Sequence, residues 1–339
     1  MSNNVIGGEF EISPELLKKT DSQTNYFGSE YLFSSGRTAL FYILKNESID
    51  KVYVPDYVCP CVDETVKVAG KNIIKYYIKQ DLSPEIPVTD EKVIFLLVNH
   101  FALCDVDLIV EEIKLKIPNA VIVLDDVQAL WDLKNEHKVD YAFSSFRKWL
   151  PAPDGSPVKT LKKLNVPDLV SNSFVVNKVI GSLLKYYRDY EEIDDDNYLS
   201  FFERGEDEID KSWNCKCSSI SKNILNNIDY EYVKKRRKEN FLYLYENIPA
   251  ELFVGGGTYV EYNLLKKESL VPMFFPLFID NKQELRKELM KNDIFCPVHW
   301  PIENNKLSEI ELSLVIDQRY NLNDMAKIVK VIKEWYRCK

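Results

Sequence analysis

Two apolar runs set the frame of the chain. Residues 93–98 ("VIFLLV") and 120–124 ("AVIVL") are apolar at every position rather than at alternate ones. That pattern predicts strands covered on both faces. Tyr31–Ser34, Lys51–Pro55, Ile73–Tyr77 and Tyr141–Ser144 add four more predicted strands beside Val93–Val98 and Ala120–Leu124. Stretches 37–46, 60–70 and 107–117 carry a helical pattern and lie between strands. Strand–helix alternation predicts a mostly parallel sheet with helices on both faces. Ligands in such sheets gather at the carboxyl ends of the strands. Ser34-Ser35-Gly36, Pro55-Asp56-Tyr57, Asn99-His100-Phe101, Asp125 and Ser145–Lys148 all fall there, so separate segments converge on one expected site.

The second half reads differently. Segment 161–215 is helical and then acidic and irregular ("EEIDDDNY", "ERGEDEID"). One long helix is expected from about 218 to 247, stopping near Pro249. The last hundred residues hold a glycine turn at Gly255-Gly256-Gly257, a strand in "VPMFFPLFI" and a helix near 281–291. "IFCPVHWP", a strand in "LSLVID" and a final helix over 322–336 follow. This predicts a large α/β domain over 1–230 and a smaller α+β domain over 231–339.

Composition narrows the partners. The 339 residues are 45% hydrophobic, enough for a substantial core, and the net charge of −9 argues against a nucleic-acid face. The N-terminus has no basic region leading into an apolar stretch, and the longest apolar runs are too short to span a bilayer. A cytoplasmic protein without membrane contact is expected. Seven cysteines in such a chain predict free thiols. Cys59/Cys61 and Cys215/Cys217 form two C-x-C pairs, closer than ordinary zinc spacing, so no metal is expected.

The candidate chemistry lies in two segments. "AVIVLDDVQALW" is a buried strand ending in Asp125, and "VDYAFSSFRKWLP" is a strand running into a turn that carries Lys148. These are the two groups that pyridoxal phosphate (PLP) chemistry needs. A lysine amine forms a Schiff base with the cofactor aldehyde. A carboxylate pairs with the pyridine nitrogen and keeps the ring an electron acceptor. Taken singly, Asp125 and Ser35 read equally well as helix caps.

From about residue 30 to the C-terminus the segments resemble the DegT/StrS-like sugar aminotransferases, a family of fold-type-I PLP enzymes. "YLFSSGRTALFYIL" resembles the family's S-G-T-x-A-L segment. The resemblance places the phosphate on Gly36, Arg37 and Thr38 at a helix N-terminus. "VYVPDYVCPCVDETVKVAG" resembles V-P-S-F-T-F-x-A-T, whose second aromatic stacks on the cofactor; Cys59 stands there, leaving Tyr57 or His100 to supply stacking. His100 also matches the histidine of H-x-Y-G. "VIVLDDVQAL" resembles E-D-A-A-[HQ], which implies Asp125 at the pyridine nitrogen and Gln128 near the phenolic oxygen. "AFSSFRKWLP" resembles F-S-F-x-x-x-K with a shorter serine-to-lysine spacing, and Pro151–Pro157 replaces a Gly-rich stretch. Lys148 is then the Schiff-base lysine and general base, and Ser145, or else Ser144, a phosphate ligand. "SWNCKCSSISKNILNNID" resembles N-Y-R-M-S-x-L, which implies that Asn214 and Lys216 reach a neighbour's phosphate across a homodimer with shared active sites. "CPVHWP" and "LSLVIDQRY" resemble the substrate-side segments, with His299 and Trp300 toward the substrate. Arg319 reads either as a clamp for a substrate carboxylate or as a structural ion pair at a helix start.

The resemblance implies an amino group moved from glutamate or glutamine to a nucleotide-linked keto-sugar, in surface polysaccharide or amino-sugar biosynthesis. Two alternatives stay open: a PLP-dependent lyase or dehydratase on a related sugar, and a non-catalytic relative that binds PLP or a sugar nucleotide.

Overall fold

The computed structural model describes residues 5–19, 26–190, 197–253 and 270–337. Its larger sheet contains β1 (Tyr31–Phe33), β2 (Lys51–Pro55), β3 (Asn72–Tyr76), β4 (Ile94–Val98), β5 (Val121–Asp125), β6 (Tyr141–Phe143) and β7 (Ser156–Thr160). The order across the sheet is β1-β7-β6-β5-β4-β2-β3. Strands β2 to β6 pair in parallel, and β7 runs antiparallel to both its neighbours. All six predicted strands form, with ends within a residue of those expected.

The all-apolar runs have a direct cause. Ile94, Leu96 and Val98 face a core shared with α1 (Gly36–Asn46) and α2 (Pro60–Val68). Phe95 and Leu97, between them, face the other core, shared with α3 (Val106–Lys116). Both faces of the strand are covered, so neither tolerates a polar residue.

Strand β7 departs from the sequence reading. Its segment, "SPVKT", contains a proline, which ordinarily bars a central strand. Pro157 is accommodated because the group the ladder uses there is its carbonyl, which accepts from Ser144 N at 3.1 Å. The acidic stretch also departs, forming α5 (Tyr198–Ile209) against α4 (Phe174–Tyr190). Tyr198, Phe202, Gly205 and Ile209 repeat at helical spacing and are buried. Gly181 and Gly205 let the two backbones approach: a Cβ on Gly181 would sit 3.1 Å from Tyr198 O, and one on Gly205 2.9 Å from Lys178 Cγ.

The single helix expected over 218–247 is two, α6 (Ser219–Asn226) and α7 (Tyr230–Asn247). Asp229 breaks the run by capping α7, its carboxylate accepting from Tyr232 N at 2.9 Å. Asn227 is drawn away to bond Leu16 O and Lys18 O. A smaller antiparallel sheet pairs β8 (Phe274–Phe278) with β9 (Glu311–Val315). Helices α8 (Lys282–Lys291), α9 (Lys306–Ile310) and α10 (Leu322–Arg337) accompany it. The expected domain limit at 230/231 falls at the start of α7. The glycine turn at 255–257 lies outside the described residues.

The N-terminal segment crosses to the C-terminal half. Ile6 bridges Ile294, with Ile6 N bonded to Asp293 O and Phe295 N to Ile6 O. Gly7 makes this possible: its φ is +110°, and a Cβ there would lie 2.1 Å from Phe295 O. Among the described residues, no helix is long and apolar enough to cross a membrane.

Candidate active site

A cavity of about 500 Å³ opens where β4, β5 and β6 end and α1 and α2 begin. That volume suits a cofactor-sized ligand. Gly8–Phe10 and the segments around Phe274 and 295–300 complete its walls.

Lys148 ends a short turn after β6, Phe146–Lys148. Phe146 and Trp149 are fully buried on either side of Arg147 and Lys148 and anchor the turn, with Trp149 Nε1 donating to Val127 O at 2.8 Å. Arg147 is held aside by Glu206 at 2.6 Å. Arg147 and Lys148 both line the cavity, and Lys148 stands open to solvent there yet ringed by protein. Among the described residues no hydrogen bond or ion pair engages its Nζ. The Arg147 guanidinium, and then desolvation, lower its pKa from the ordinary lysine value.

Asp125 closes β5 at the cavity floor, 6% exposed, and accepts from Val127 N at 2.9 Å. Burial pushes its carboxyl up to about 7. The next residue points elsewhere: Asp126 is fully buried and accepts from Asn99 at 3.2 Å. Gln128 lines the cavity, and its Oε1 accepts from Phe101 N at 2.9 Å, which leaves the amide NH₂ free to donate. Phe101 reaches that position with φ at +57°.

At the start of α1, Ser35, Gly36 and Arg37 line the cavity. The first N–H groups of a helix have no partner within it and favour an anion. Thr38 corrects the sequence expectation. It does not line the cavity, its N–H is taken by Ser35 Oγ at 3.2 Å, and its hydroxyl bonds Ser212 O at 3.2 Å. Arg37 is tied to Asp210. Of the two serines after β6, Ser145 lines the cavity, whereas the Ser144 hydroxyl is spent on Asp126 O at 2.7 Å.

Cys59 lines the cavity beside Cys61, their sulfurs 3.0 Å apart. The Cys61 thiol donates to Cys59 and brings it down to about 6, with Lys148 and Arg37 adding to the effect. Tyr57 and His100 correct the stacking expectation. Both are fully buried and absent from the cavity wall, and they stack on each other at 5.7 Å.

His299 and Trp300 line the cavity. Arg319 also lines it but is committed to the protein. Asp317 takes Nε at 2.9 Å and Nη2 at 2.8 Å, and Gly8 O, Glu9 O and Glu11 take the rest. All five N–H groups are used, so Arg319 is the structural ion pair and not a substrate clamp. Asn214 and Lys216 are exposed and lie outside this cavity, on a segment paired with Val170.

Several residues of the site escaped the sequence reading. Gly8, Glu9 and Phe10 join the wall from the far end of the chain, signalled only by the Gly7-Gly8 pair. Arg237, fully buried in α7, joins it while bonding Met273 O and Trp149 O. Glu311 and Ser313 stand behind His299 on β9. Among the described residues no cluster of three or more histidine, cysteine or acidic side chains is placed to hold a metal.

No family model and no curated protein matches the sequence. Solved structures do match in fold. The aminotransferase PseC of Helicobacter pylori, involved in the biosynthesis of pseudoaminic acid, superposes with TM-score 0.66 at 14% identity, over 99% of this chain and 100% of that one. A GDP-4-keto-6-deoxy-D-mannose-3-dehydratase of E. coli, solved with bound hydrated PLP, gives 0.59 at 15% identity over 90% and 88%. A DegT DnrJ EryC1 StrS aminotransferase from Brucella abortus gives 0.54 at 14% identity over 91% and 87%. The chain therefore has the fold-type-I architecture: a large, mostly parallel sheet with helices, plus a small antiparallel sheet.

Proposed function

We propose that this protein is a PLP-dependent aminotransferase of the DegT/StrS-like type, moving an amino group from glutamate or glutamine to a nucleotide-linked keto-sugar. The observation that carries the reading is the juxtaposition in one cavity of an unpaired Lys148 and a buried Asp125, at the ends of adjacent parallel strands. PLP, when bound, supplies the electron-accepting ring on which amino transfer depends.

The protein's own groups fit that cofactor. Asp125 is the acceptor for a ring N–H at the cavity floor. The Gln128 amide is held as a donor by Phe101. Gly36, Arg37 and Ser145 offer N–H and hydroxyl donors at a helix N-terminus, where a phosphate belongs. Lys148, with a lowered pKa, holds and moves the proton at Nζ. Cys59 stands where the resemblance expects an aromatic ring. Asn214 and Lys216, outside their own cavity, are assigned to a partner protomer's cavity, in a homodimer with shared sites.

The dehydratase shares this fold, so fold alone does not choose between transfer and elimination. Lys148 favours transfer, since lyase relatives of the family generally alter that lysine. The test is the visible absorbance of the protein with PLP, before and after glutamate, with 2-oxoglutarate measured in parallel. A visible band that glutamate bleaches, with 2-oxoglutarate released, is expected for the wild type; Lys148→Ala should show neither. A wild type with no band, or a band that yields no oxo-acid from glutamate or glutamine, would reject the aminotransferase reading.

A further inference from the structure

Four side chains form a hydrogen-bonded row that runs from the core to the cavity. The Tyr57 hydroxyl lies 3.2 Å from Glu311 Oε2 and 3.4 Å from His299 O, and donates over the shorter distance to the carboxylate. The Ser313 hydroxyl donates to Glu311 Oε1 at 2.5 Å. A carboxyl that accepts at both oxygens is in the ionised arrangement. Ser313, having given its proton to Glu311, can only accept from its other neighbour, His299 Nδ1, 3.0 Å away. The proton of the neutral imidazole then sits on Nδ1, and Nε2 presents a bare lone pair.

The rest of the surroundings fix that nitrogen toward the cavity. Tyr57, Glu311 and Ser313 are at most 2% exposed, so water does not compete along the row. The rings of Phe101, Phe274 and Trp300 pack around His299 at 5.9, 5.0 and 5.4 Å and fix its plane. Nε2 has no protein partner among the described residues and keeps accessible surface in the cavity. Burial first, and then the charges of Lys148 and Lys282 and the ring of His100, hold the imidazole down to about 3. It therefore stays neutral and acts as an acceptor, not as a proton carrier. A bare nitrogen takes a hydroxyl and disfavours a carboxylate or carbonyl oxygen.

We propose that His299 Nε2 accepts a hydrogen bond from a sugar hydroxyl of the substrate, with Ser313 and Glu311 as positioning residues that fix its tautomer. The proposal rests on the keto-sugar reading above for its substrate class and adds the residue that reads the sugar.

Nitrogen-15 imidazole spectra of the PLP-loaded protein test this directly. The chain has three histidines, so His299→Asn assigns the signals. At pH 8, above the value of about 7 to which burial raises Glu311, the carboxylate is ionised. His299 is expected as the Nδ1–H tautomer. UDP-N-acetylglucosamine should displace its Nε2 signal, and UDP alone should not. Ser313→Ala should move the ring toward the Nε2–H form and abolish the displacement, and Ser313→Thr, which keeps the hydroxyl, should restore both. An Nε2–H tautomer in the wild type would mean that the row runs in reverse and would overturn the proposal. So would an Nε2 signal that saturating nucleotide sugar leaves in place. Failure of the aminotransferase reading would appear elsewhere, as wild-type protein that releases no oxo-acid, and leaves the tautomer measurement standing.

Discussion

At the scale of single residues, burial determines what each charged group of the site can do. Asp125 has a folded-state value of about 7 against an ordinary 3.8. Burial penalises its ionised form far more than its neutral form, so its contribution to stability is full below about pH 4. It is lost as pH rises through the folded value and is gone above about pH 7. A shift of that size corresponds to roughly 4 kcal/mol. The cofactor-free wild type should therefore lose stability to guanidinium between about pH 4 and pH 7, and Asp125→Asn should lose distinctly less. Equal slopes for the two proteins would show that Asp125 is already ionised without the cofactor. Cys59 behaves oppositely, lowered to about 6 by the Cys61 thiol and the nearby cations. At pH 7.5 it is mostly thiolate, the reactive form. Iodoacetamide should modify it at least tenfold faster than the buried Cys215, Cys217 and Cys296, with a rate midpoint near pH 6, and bound PLP should protect it. Mass mapping that finds another cysteine modified first would contradict this.

At the scale of elements, the strand ends were legible and the irregular connections were not. Runs such as 93–98 announce a doubly covered strand, and the order of such strands forces their carboxyl ends to one side. Gly36, Asp125, Ser145 and Lys148 were picked out that way and Gln128 by resemblance, and all five line the cavity. Thr38 was misplaced because a sequence does not say which N–H a capping serine will take. Tyr57 and His100 were misplaced because a strand-end aromatic points either into the core or into the site with the same local pattern. Strand β7 was missed because Pro157 reads as a breaker until its neighbours are known. Gly36 offers a test that separates element from site. Its φ is not in the left-handed region, and a Cβ there would meet Val127, Phe143 and Ser145 at ordinary contact distances of 3.5 to 4.0 Å. All three line the cavity. Gly36→Ala should fold with an unchanged melting temperature, because a glycine at a helix start gains little from conformational freedom here. Its methyl occupies cofactor space, so PLP affinity should fall about tenfold or more, on the scale of a lost charged hydrogen bond. Unaltered affinity in a PLP titration would move the phosphate away from this helix end.

At the scale of the whole molecule, the open question is how many chains make one site. The N-terminal segment already shows long-range closure within a chain: Gly7 to Phe10 packs on the 293–295 stretch and on Arg319, more than 280 residues away in sequence, which no local pattern could reveal. Asn214 and Lys216 pose the complementary case, polar groups that match a phosphate-binding segment yet sit exposed outside their own cavity. The two-fold dimer proposed above would resolve this, since its symmetry would deliver the same segment of each protomer to the other's cavity. Complementation distinguishes the two arrangements. A Lys148→Ala protomer keeps a good Lys216 segment, and an Asn214→Ala/Lys216→Ala protomer keeps a good Lys148. Each homodimer is impaired at both of its sites. In a mixed dimer with shared sites, one cavity pairs the intact Lys148 with the intact segment and is wild-type, while the other carries both defects. Refolding the two together in equal amounts gives about half mixed dimers with one good cavity of two, so activity should recover to about a quarter of wild type. If instead each cavity is complete within its own chain, the mixture can only average its parents, and no recovery above that average will be seen.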